Sequence, residues 1–235
     1  MNAFFPLRMT TLLLTAAVLG ACGGGDTDST GTGNGPTPIV DANGVSTFDS
    51  TALGVALMAL PSEPLNPEEA SSLRYMREEE KLAGDVYARM HALWGGQVRT
   101  FGNIAISEDN HTESVRQLLL RYALEDPATG RPEGVFQNPD LQALFNQLVT
   151  DGSLSLIAAL QVGVRIEELD MLDINTHLGS VDNQDIRLVY EALLKGSRNH
   201  LRAYHKVLLQ QGGSYTPQYL TPAEFDAIVQ SAMER

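Results

Sequence analysis

One stretch of the sequence places a carboxylate and an imidazole on the apolar side of a predicted helix. Glu108 and His111 stand three residues apart, on a stripe whose members recur at alternating steps of four and three. The members of that stripe are Ile104, Glu108, His111, Val115, Leu118 and Tyr122. A buried charge without a partner is costly, so a carboxylate here must be protonated, hydrated or bound to a metal ion.

Three more predicted helices carry ionisable residues on their inward stripes. Glu80 takes an apolar position on the first long helix, Glu167 on the third and His200 on the fourth. No lysine or arginine falls on any of the four stripes. Iron, manganese and zinc accept carboxylate oxygen and imidazole nitrogen, and facing helices supply such ligands in di-metal carboxylate bundles. The set predicts a buried metal site, with a metal-free polar core as the alternative.

Other carboxylates lie close to these stripes. Glu78 and Glu79 flank Glu80 but fall off its stripe, and we interpret them as a solvated face. Glu168 and Asp170 lie near the edge of the third stripe, where either could assist the metal ligands.

Capping signals and glycine or proline breaks divide the main part of the chain into helices. Asn66 and Pro67 are typical of an N-cap and a first helical position, and Gly95-Gly96 should end the first long helix. Long helices are predicted at about 67–94, 101–124, 153–174 and 183–209, and short ones at 140–149, after Thr221 and within 45–60. The connection from 125 to 152 is long enough to travel the height of a bundle and reverse direction.

The first 21 residues have the pattern of an export signal. Arg8 precedes an apolar run, Met9 to Ala21, that is too short to span a bilayer. The run ends in Leu19-Gly20-Ala21-Cys22, which resembles a bacterial lipobox, in which the cysteine is lipidated and becomes the mature N-terminus. An ordinary secretory signal followed by an unrelated cysteine is the alternative. Gly23, by resemblance to Gram-negative lipoproteins, indicates the outer membrane and its periplasmic face.

Residues 22–44 are rich in Gly, Asp, Thr, Ser and Pro and predict a flexible tether. Residues 45–66 contain an apolar segment too short to cross a membrane, and we expect this N-terminal extension to pack on the main domain, 67–235. The lipid on Cys22 is therefore the only predicted membrane attachment.

Composition and motifs argue against several classes of function. The 235-residue chain has a formal net charge of −13, which argues against nucleic acid as a partner. Its one cysteine precludes an intramolecular disulfide. The sequence has no nucleophile-elbow serine and no phosphate-binding glycine loop, so neither a serine hydrolase nor a nucleotide-binding enzyme is predicted.

The motifs resemble those of a known group of helical metalloproteins. Glu80-Lys-Leu-Ala-Gly-Asp-Val-Tyr87 resembles the first-helix signature of rubrerythrin and other ferritin-like proteins, and Glu108-Asp-Asn-His111 resembles their second-helix Glu-x-x-His. Over about 61–220 the chain is more closely similar to the DUF2202 family. The residues that carry this similarity are Tyr75-Met-Arg-Glu-Glu-Glu-Lys-Leu-Ala83, Glu167-Glu-Leu-Asp170 and Gly196-Ser-Arg-Asn-His-Leu-Arg202.

The resemblance implies an all-α fold, namely a ferritin-like up-down four-helix bundle with a long crossover between helices 2 and 3 and short extra helices. It implies a site for iron, as one ion or two, with manganese or zinc as alternatives. The expected metal ligands are Glu80, Glu108, His111, Glu167 and His200. Tyr87 would either donate a hydrogen bond to a ligand or simply fill the core.

One position departs from the ferritin-like pattern. Where that group has a second Glu-x-x-His on the fourth helix, this chain has Ser197-Arg-Asn-His200. Two divalent ions would then face only three carboxylates, which leaves one positive charge uncompensated in a core of low dielectric constant. Unless Asp170 or Glu168 compensates, we expect one firmly held metal and one weakly held, with Ser197→Glu raising occupancy of the second position.

Three functions fit these patterns. The first is a periplasmic metal-dependent redox protein acting on oxygen or peroxide. The second is a metal-handling lipoprotein without turnover, and the third is a non-catalytic bundle that binds a protein partner and uses the polar core for fold specificity. The patterns leave open the metal's identity, the redox or protein partner, the oligomeric state and whether a substrate is turned over.

Overall fold

The structure, a computed structural model, describes residues 39–40, 46–47 and 50–234. In chain order the elements are β1 (Ile39–Val40), β2 (Ser46–Thr47), α1 (Ser50–Ala59), α2 (Pro67–Trp94), α3 (Thr100–Arg121), α4 (Pro139–Gly152), α5 (Leu156–Leu178), α6 (Gln184–Gln210) and α7 (Pro222–Val229). β1 and β2 pair antiparallel, with Ile39 opposite Thr47. Apart from this short strand pair the described chain is helical, which confirms the predicted all-α class.

The predicted signal with Cys22 lies outside the described residues, as does most of the predicted tether. Among the described residues, no helix combines the length and the apolar character needed to cross a membrane. α1 contacts α3, and its side chains Leu53 and Leu57 are buried in the core.

The long helices α2, α3, α5 and α6 enclose the core. Both α2 and α6 pack against α3 and α5. The Tyr122 hydroxyl, just beyond α3, donates to Asp185 at the start of α6 at 2.7 Å, so these helices run antiparallel. The Trp94 indole N–H, at the end of α2, donates to the carbonyl of Gly152 just before α5 at 3.1 Å, so these two are antiparallel as well.

The four predicted long helices are all present, with ends that differ by a few residues from the prediction. Asn66 caps α2 as predicted: its side chain accepts a hydrogen bond from the Glu69 amide at 2.8 Å, and Glu69 accepts one in return. α5 begins later than predicted because Ser155 is its N-cap and accepts from the Ala158 amide.

The crossover between α3 and α5 covers two glutamates that the sequence predicted to be solvated, so that prediction is wrong. α2 is also antiparallel to α3, because only residues 95–99 join these two packed helices. The chain must therefore return along the molecule between α3 and α5, and residues 122–155 with α4 make that connection. α4 packs against α2. As a result Glu78 and Glu79, predicted to be solvated, are only 3% and 5% exposed. Glu78 accepts hydrogen bonds from the backbone amides of Gln137 and Asn138 in the crossover.

The apolar core consists of two clusters. One contains Tyr87, Phe101 and Tyr204, and the other contains Met76 and Val115. Along α2, α3 and α6 the predicted site residues fall between the two clusters. A layer of buried polar side chains therefore divides the core.

Candidate metal centre

Glu108 lies at the centre of the polar layer and joins two histidines. Its Oε2 is 2.8 Å from His111 Nδ1, and its Oε1 is 2.8 Å from His200 Nδ1. One ligand atom from each of the three residues lies within 4.8 Å of the others, which is close enough for all three to contact one metal ion. The two imidazole rings stack with centroids 5.2 Å apart.

Two further carboxylates flank this group. Glu80 Oε2 lies 3.3 Å from His111 Nδ1, and Glu167 Oε2 lies 3.6 Å from His200 Nδ1. The five predicted ligands therefore lie together, each no more than 2% exposed. Glu80 Oε1 has no hydrogen-bond partner among the described residues.

Two hydroxyl groups orient members of the cluster. The Tyr87 hydroxyl donates to Glu167 Oε1 at 2.5 Å, while its ring packs on Tyr204 with centroids 5.0 Å apart. Tyr87 thus fills the core and donates a hydrogen bond at once, combining the two roles left open by the sequence. Ser107 Oγ lies 2.9 Å from His200 Nε2, which leaves Nδ1 of that ring facing the carboxylates.

Asp170 supplies a carboxylate where Ser197 departs from the ferritin-like pattern. The Ser197 hydroxyl donates to Asp170 Oδ2, and Oδ1 has no hydrogen-bond partner in the described part of the chain. Asp170 is 6% exposed. Asp170 interacts electrostatically with Glu80 and Glu167, so it can supply the fourth carboxylate that the sequence left open. The expectation of one firmly held metal and one weakly held metal stays a prediction.

Glu168, the other predicted auxiliary residue, faces a different part of the molecule. Its carboxylate accepts hydrogen bonds from the Tyr215 hydroxyl and from the backbone amides of Gln218, Tyr219 and Leu220. One residue along a helix rotates the side chain by about 100°, which turns Glu168 away from the neighbouring Glu167 and towards the C-terminal segment. The structure therefore does not bring Glu168 to the cluster.

The electrostatics show an excess of negative groups. Burial raises the pKa of Glu80 to about 7, although His111 opposes the shift. Burial, reinforced by Glu80, holds the pKa of Asp170 well above its usual range. Burial alone would lower the pKa of His200, but Glu108 and Glu167 raise it to about 9. The cluster therefore favours protons or cations at each of these groups.

Glu108 behaves differently from its neighbours. Burial would raise its pKa, but His111 and His200 together hold it far below the usual range of a glutamate. It is the one carboxylate of the cluster that both imidazoles contact, and it is therefore the best-compensated.

The sequence patterns gave no part in the site to three of its residues, namely Ser107, Gly196 and Glu79. Ser107 precedes Glu108 and lies just off the apolar stripe, so only its contact with His200 reveals it. Gly196 gives room for His111, since a Cβ there would lie 2.5 Å from the ring atom Cε1; a glycine in mid-helix was the available signal. Glu79 was misassigned because its burial depends on the crossover.

An all-helical fold with a buried glutamate and histidine cluster defines the class of this protein. The chain belongs to the family described as "Uncharacterized protein domain (DUF2202)", which matches residues 69–232 and confirms the family assignment made from the sequence. It is 44% identical over 179 residues to "Uncharacterized protein MJ0754" of Methanocaldococcus jannaschii, covering 76% of this chain and 96% of that protein. The crystal structure of hypothetical protein MJ0754 from Methanococcus jannaschii DSM 2661 superposes with a TM-score of 0.72, covering 74% of this chain and 99% of that chain.

Proposed function

We propose that this protein is a ferritin-like metalloprotein whose buried cluster holds one or two transition-metal ions, with iron as the first candidate. The proposal rests on the position of Glu108 between His111 and His200. One ligand atom from each of these three residues lies within 4.8 Å of the others. Glu80 and Glu167 complete the ligand set, as expected from the ferritin-like pattern.

The donor set fits such ions. Buried polar atoms are normally satisfied, yet Glu80 Oε1 and Asp170 Oδ1 have no hydrogen-bond partner among the described residues. Glu80, Glu108, Glu167 and Asp170 together bring four negative charges when ionised, and neutral imidazoles add none. Two divalent cations would balance that charge within the buried layer, and the oxygen and nitrogen donors suit iron, manganese or zinc.

The remaining residues would hold and shield the ligands. Tyr87 and Ser107 fix the orientation of Glu167 and His200 through hydrogen bonds. The two apolar clusters lie on either side of the layer and shield it from bulk solvent. When bound, iron would supply redox chemistry towards oxygen or peroxide. An oxidoreductase that acts on oxygen or peroxide is therefore the first candidate function.

A second candidate is a metal-handling protein without turnover, and a third is a metal-free bundle that binds a protein partner. In the metal-free form, protons on His111 and His200 would serve as the counter-charges of Glu108. Five buried carboxylates, counting Glu79, outnumber those two imidazoles. This excess favours metal over protons alone.

Elemental analysis of the full-length protein, purified without added metal, tests the proposal. We expect a transition metal bound to the unmodified chain and to Glu191→Gln, which changes an exposed carboxylate on α6. Glu108→Gln should lose most of it, because one substitution removes a charge shared by two imidazoles. A protein free of metal in all three forms would refute the metalloprotein.

Oxygen or peroxide consumption by the reduced, loaded protein then separates a redox enzyme from a metal-handling protein.

For location, we propose a lipid-anchored protein on the periplasmic face of the outer membrane. The support is the run that ends at Cys22 and the polar segment after it. A Cys22→Ser variant should lose signal processing at that site and leave the membrane fraction. Unchanged processing and fractionation would refute the anchor.

A further inference from the structure

A row of ionisable side chains follows the seam between α2 and α5, outward from the cluster. On α5 these residues are Glu167, Asp170, Asp173 and His177, at steps of three, three and four, which keeps them on one face. Tyr75 and Glu79, four residues apart on α2, lie against them. Glu167 and Asp170 are buried, whereas Asp173 and His177 are partly exposed.

Glu79 is the unexplained member of this row. It is 5% exposed, and neither of its carboxylate oxygens has a hydrogen-bond partner within the described residues. Burial raises its pKa well above the usual range, and the neighbouring carboxylates of Asp170 and Asp173 raise it further. A buried carboxylate placed between two others lacks the compensation that a structural role would provide.

A small cavity lies at this point. Glu79 and Asp170 line a space of about 10 Å³, whose other walls are apolar side chains from α2, α4 and α5. That volume is close to the space needed by one water-sized particle. The free oxygens of Glu79 and Asp170 are the polar atoms available to it.

The outer end of the row meets a surface groove. Tyr75 donates to Asp173 Oδ2 at 3.1 Å and packs edge-on against the His177 ring, with centroids 5.6 Å apart. Tyr75 also lines an open groove of about 530 Å³. Tyr75 therefore contacts the outer end of the row and also lines the groove.

We propose that Glu79, Asp170 and Asp173 form a transient site for a divalent cation, on the route by which metal ions reach the buried cluster. The inference rests on the proposed metal centre. Converging carboxylates of like charge attract cations and raise the rate at which they arrive. The site has oxygen donors only and includes a partly exposed residue, so an ion would leave it for the glutamate and histidine cluster, where nitrogen donors are added.

Metal loading of the full-length, metal-free protein tests this route, with Co²⁺ alone as the probe and visible absorbance followed by stopped flow. Glu79→Gln and Asp173→Asn keep the side-chain shape and each remove one carboxyl group. Glu191→Gln is the control for loss of a carboxylate elsewhere. We expect each route variant to load about tenfold more slowly than the unmodified chain. The final number of ions per chain should stay the same, and the control should load at the unmodified rate.

Each other outcome has a distinct meaning. If both route variants load at the unmodified rate, the proposed route is wrong. That result is expected if these carboxyl groups bind only protons and no metal ion. A lower final metal content in Glu79→Gln also overturns it, because Glu79 would then be a permanent ligand. If the unmodified chain takes up no Co²⁺, the metal centre itself fails. Circular dichroism on every variant shows that the compared proteins are folded.

Discussion

The buried carboxylates of this protein fall into two groups that differ in their hydrogen-bond donors rather than in their burial. Glu69 and Glu168 are both 0% exposed, and backbone amides surround them: Glu69 accepts from Asn66, Asp182 and Asn183, and Glu168 accepts from three amides and a tyrosine. The second group contains Glu79, Glu80 and Asp170, each with at least one oxygen that has no partner among the described residues.

Each group has a different consequence for the molecule. The first ties segments together, since Glu69 joins the start of α2 to the turn before α6, and Glu168 holds the segment after α6 against α5. Each member of the second group has at least one carboxylate oxygen without a donor among the described residues, and the group lies in the polar layer of the core. Burial alone therefore does not separate a structural carboxylate from a candidate metal ligand, but the supply of hydrogen-bond donors does.

The largest expected effect comes from making the same substitution in each group. Glu168→Gln places an amide N–H₂ against the donors of Gln218 to Leu220, so we expect a loss of about 3 kcal/mol in the free energy of unfolding. Glu79→Gln removes a carboxylate that has no donor to lose, so the metal-free protein should be as stable or more stable. Chemical denaturation of both variants in the absence of metal measures the difference. Equal destabilisation would abolish the distinction between the two groups.

A smaller effect should appear in the pH dependence of the metal-free protein. Folding raises the pKa of Glu80 from 4.5 to about 7 and that of His200 from 6.5 to about 9. Both groups bind protons more tightly in the folded state, so their stabilisation is present at low pH and is lost as the pH rises through those values. The melting temperature should fall by several degrees between about pH 5 and about pH 9.

Bound metal should reduce this pH dependence, because cations replace the protons. Glu108 has the opposite sign: its lowered pKa makes its contribution vanish only in strong acid, below this window. Glu80→Gln in the metal-free protein should flatten the lower part of the decline. A melting temperature that rises across the window would contradict the assigned pKa shifts.

The smallest expected effect concerns the support of Asp170. Ser197→Ala removes the hydroxyl that donates to Asp170 Oδ2 but keeps all the carboxylates. Loss of such an outer hydrogen bond should weaken metal affinity by about tenfold, measured by competition with a chelator. Asp170→Asn should go further and reduce the number of ions held per chain. Unchanged affinity and stoichiometry in both would remove Asp170 from the site.

Periodicity and capping residues were enough to predict the helices and the five central residues. Glu80, Glu108 and His200 interrupt apolar stripes of strong helical period. An ionisable residue at an apolar helix position can be recognised from the sequence alone. The pairing of Ser197 with Asp170 was not predictable, because it depends on how α5 and α6 are rotated against each other. The burial of Glu79 was not predictable either, because the crossover covers it. The contact between the crossover and α2 is long-range and leaves no local pattern in the sequence.

Crystals of the protein prepared without added metal, with anomalous scattering measured at the absorption edge of the metal found by elemental analysis, test the central claim most directly. The account predicts anomalous peaks between α2, α3, α5 and α6, with Glu108, His111 and His200 as ligands at about 2.0–2.2 Å. It also predicts that Glu69 and Glu168 keep their amide partners and bind no metal. An empty cluster with both imidazoles paired only to carboxylates, or a metal bound elsewhere, would contradict it.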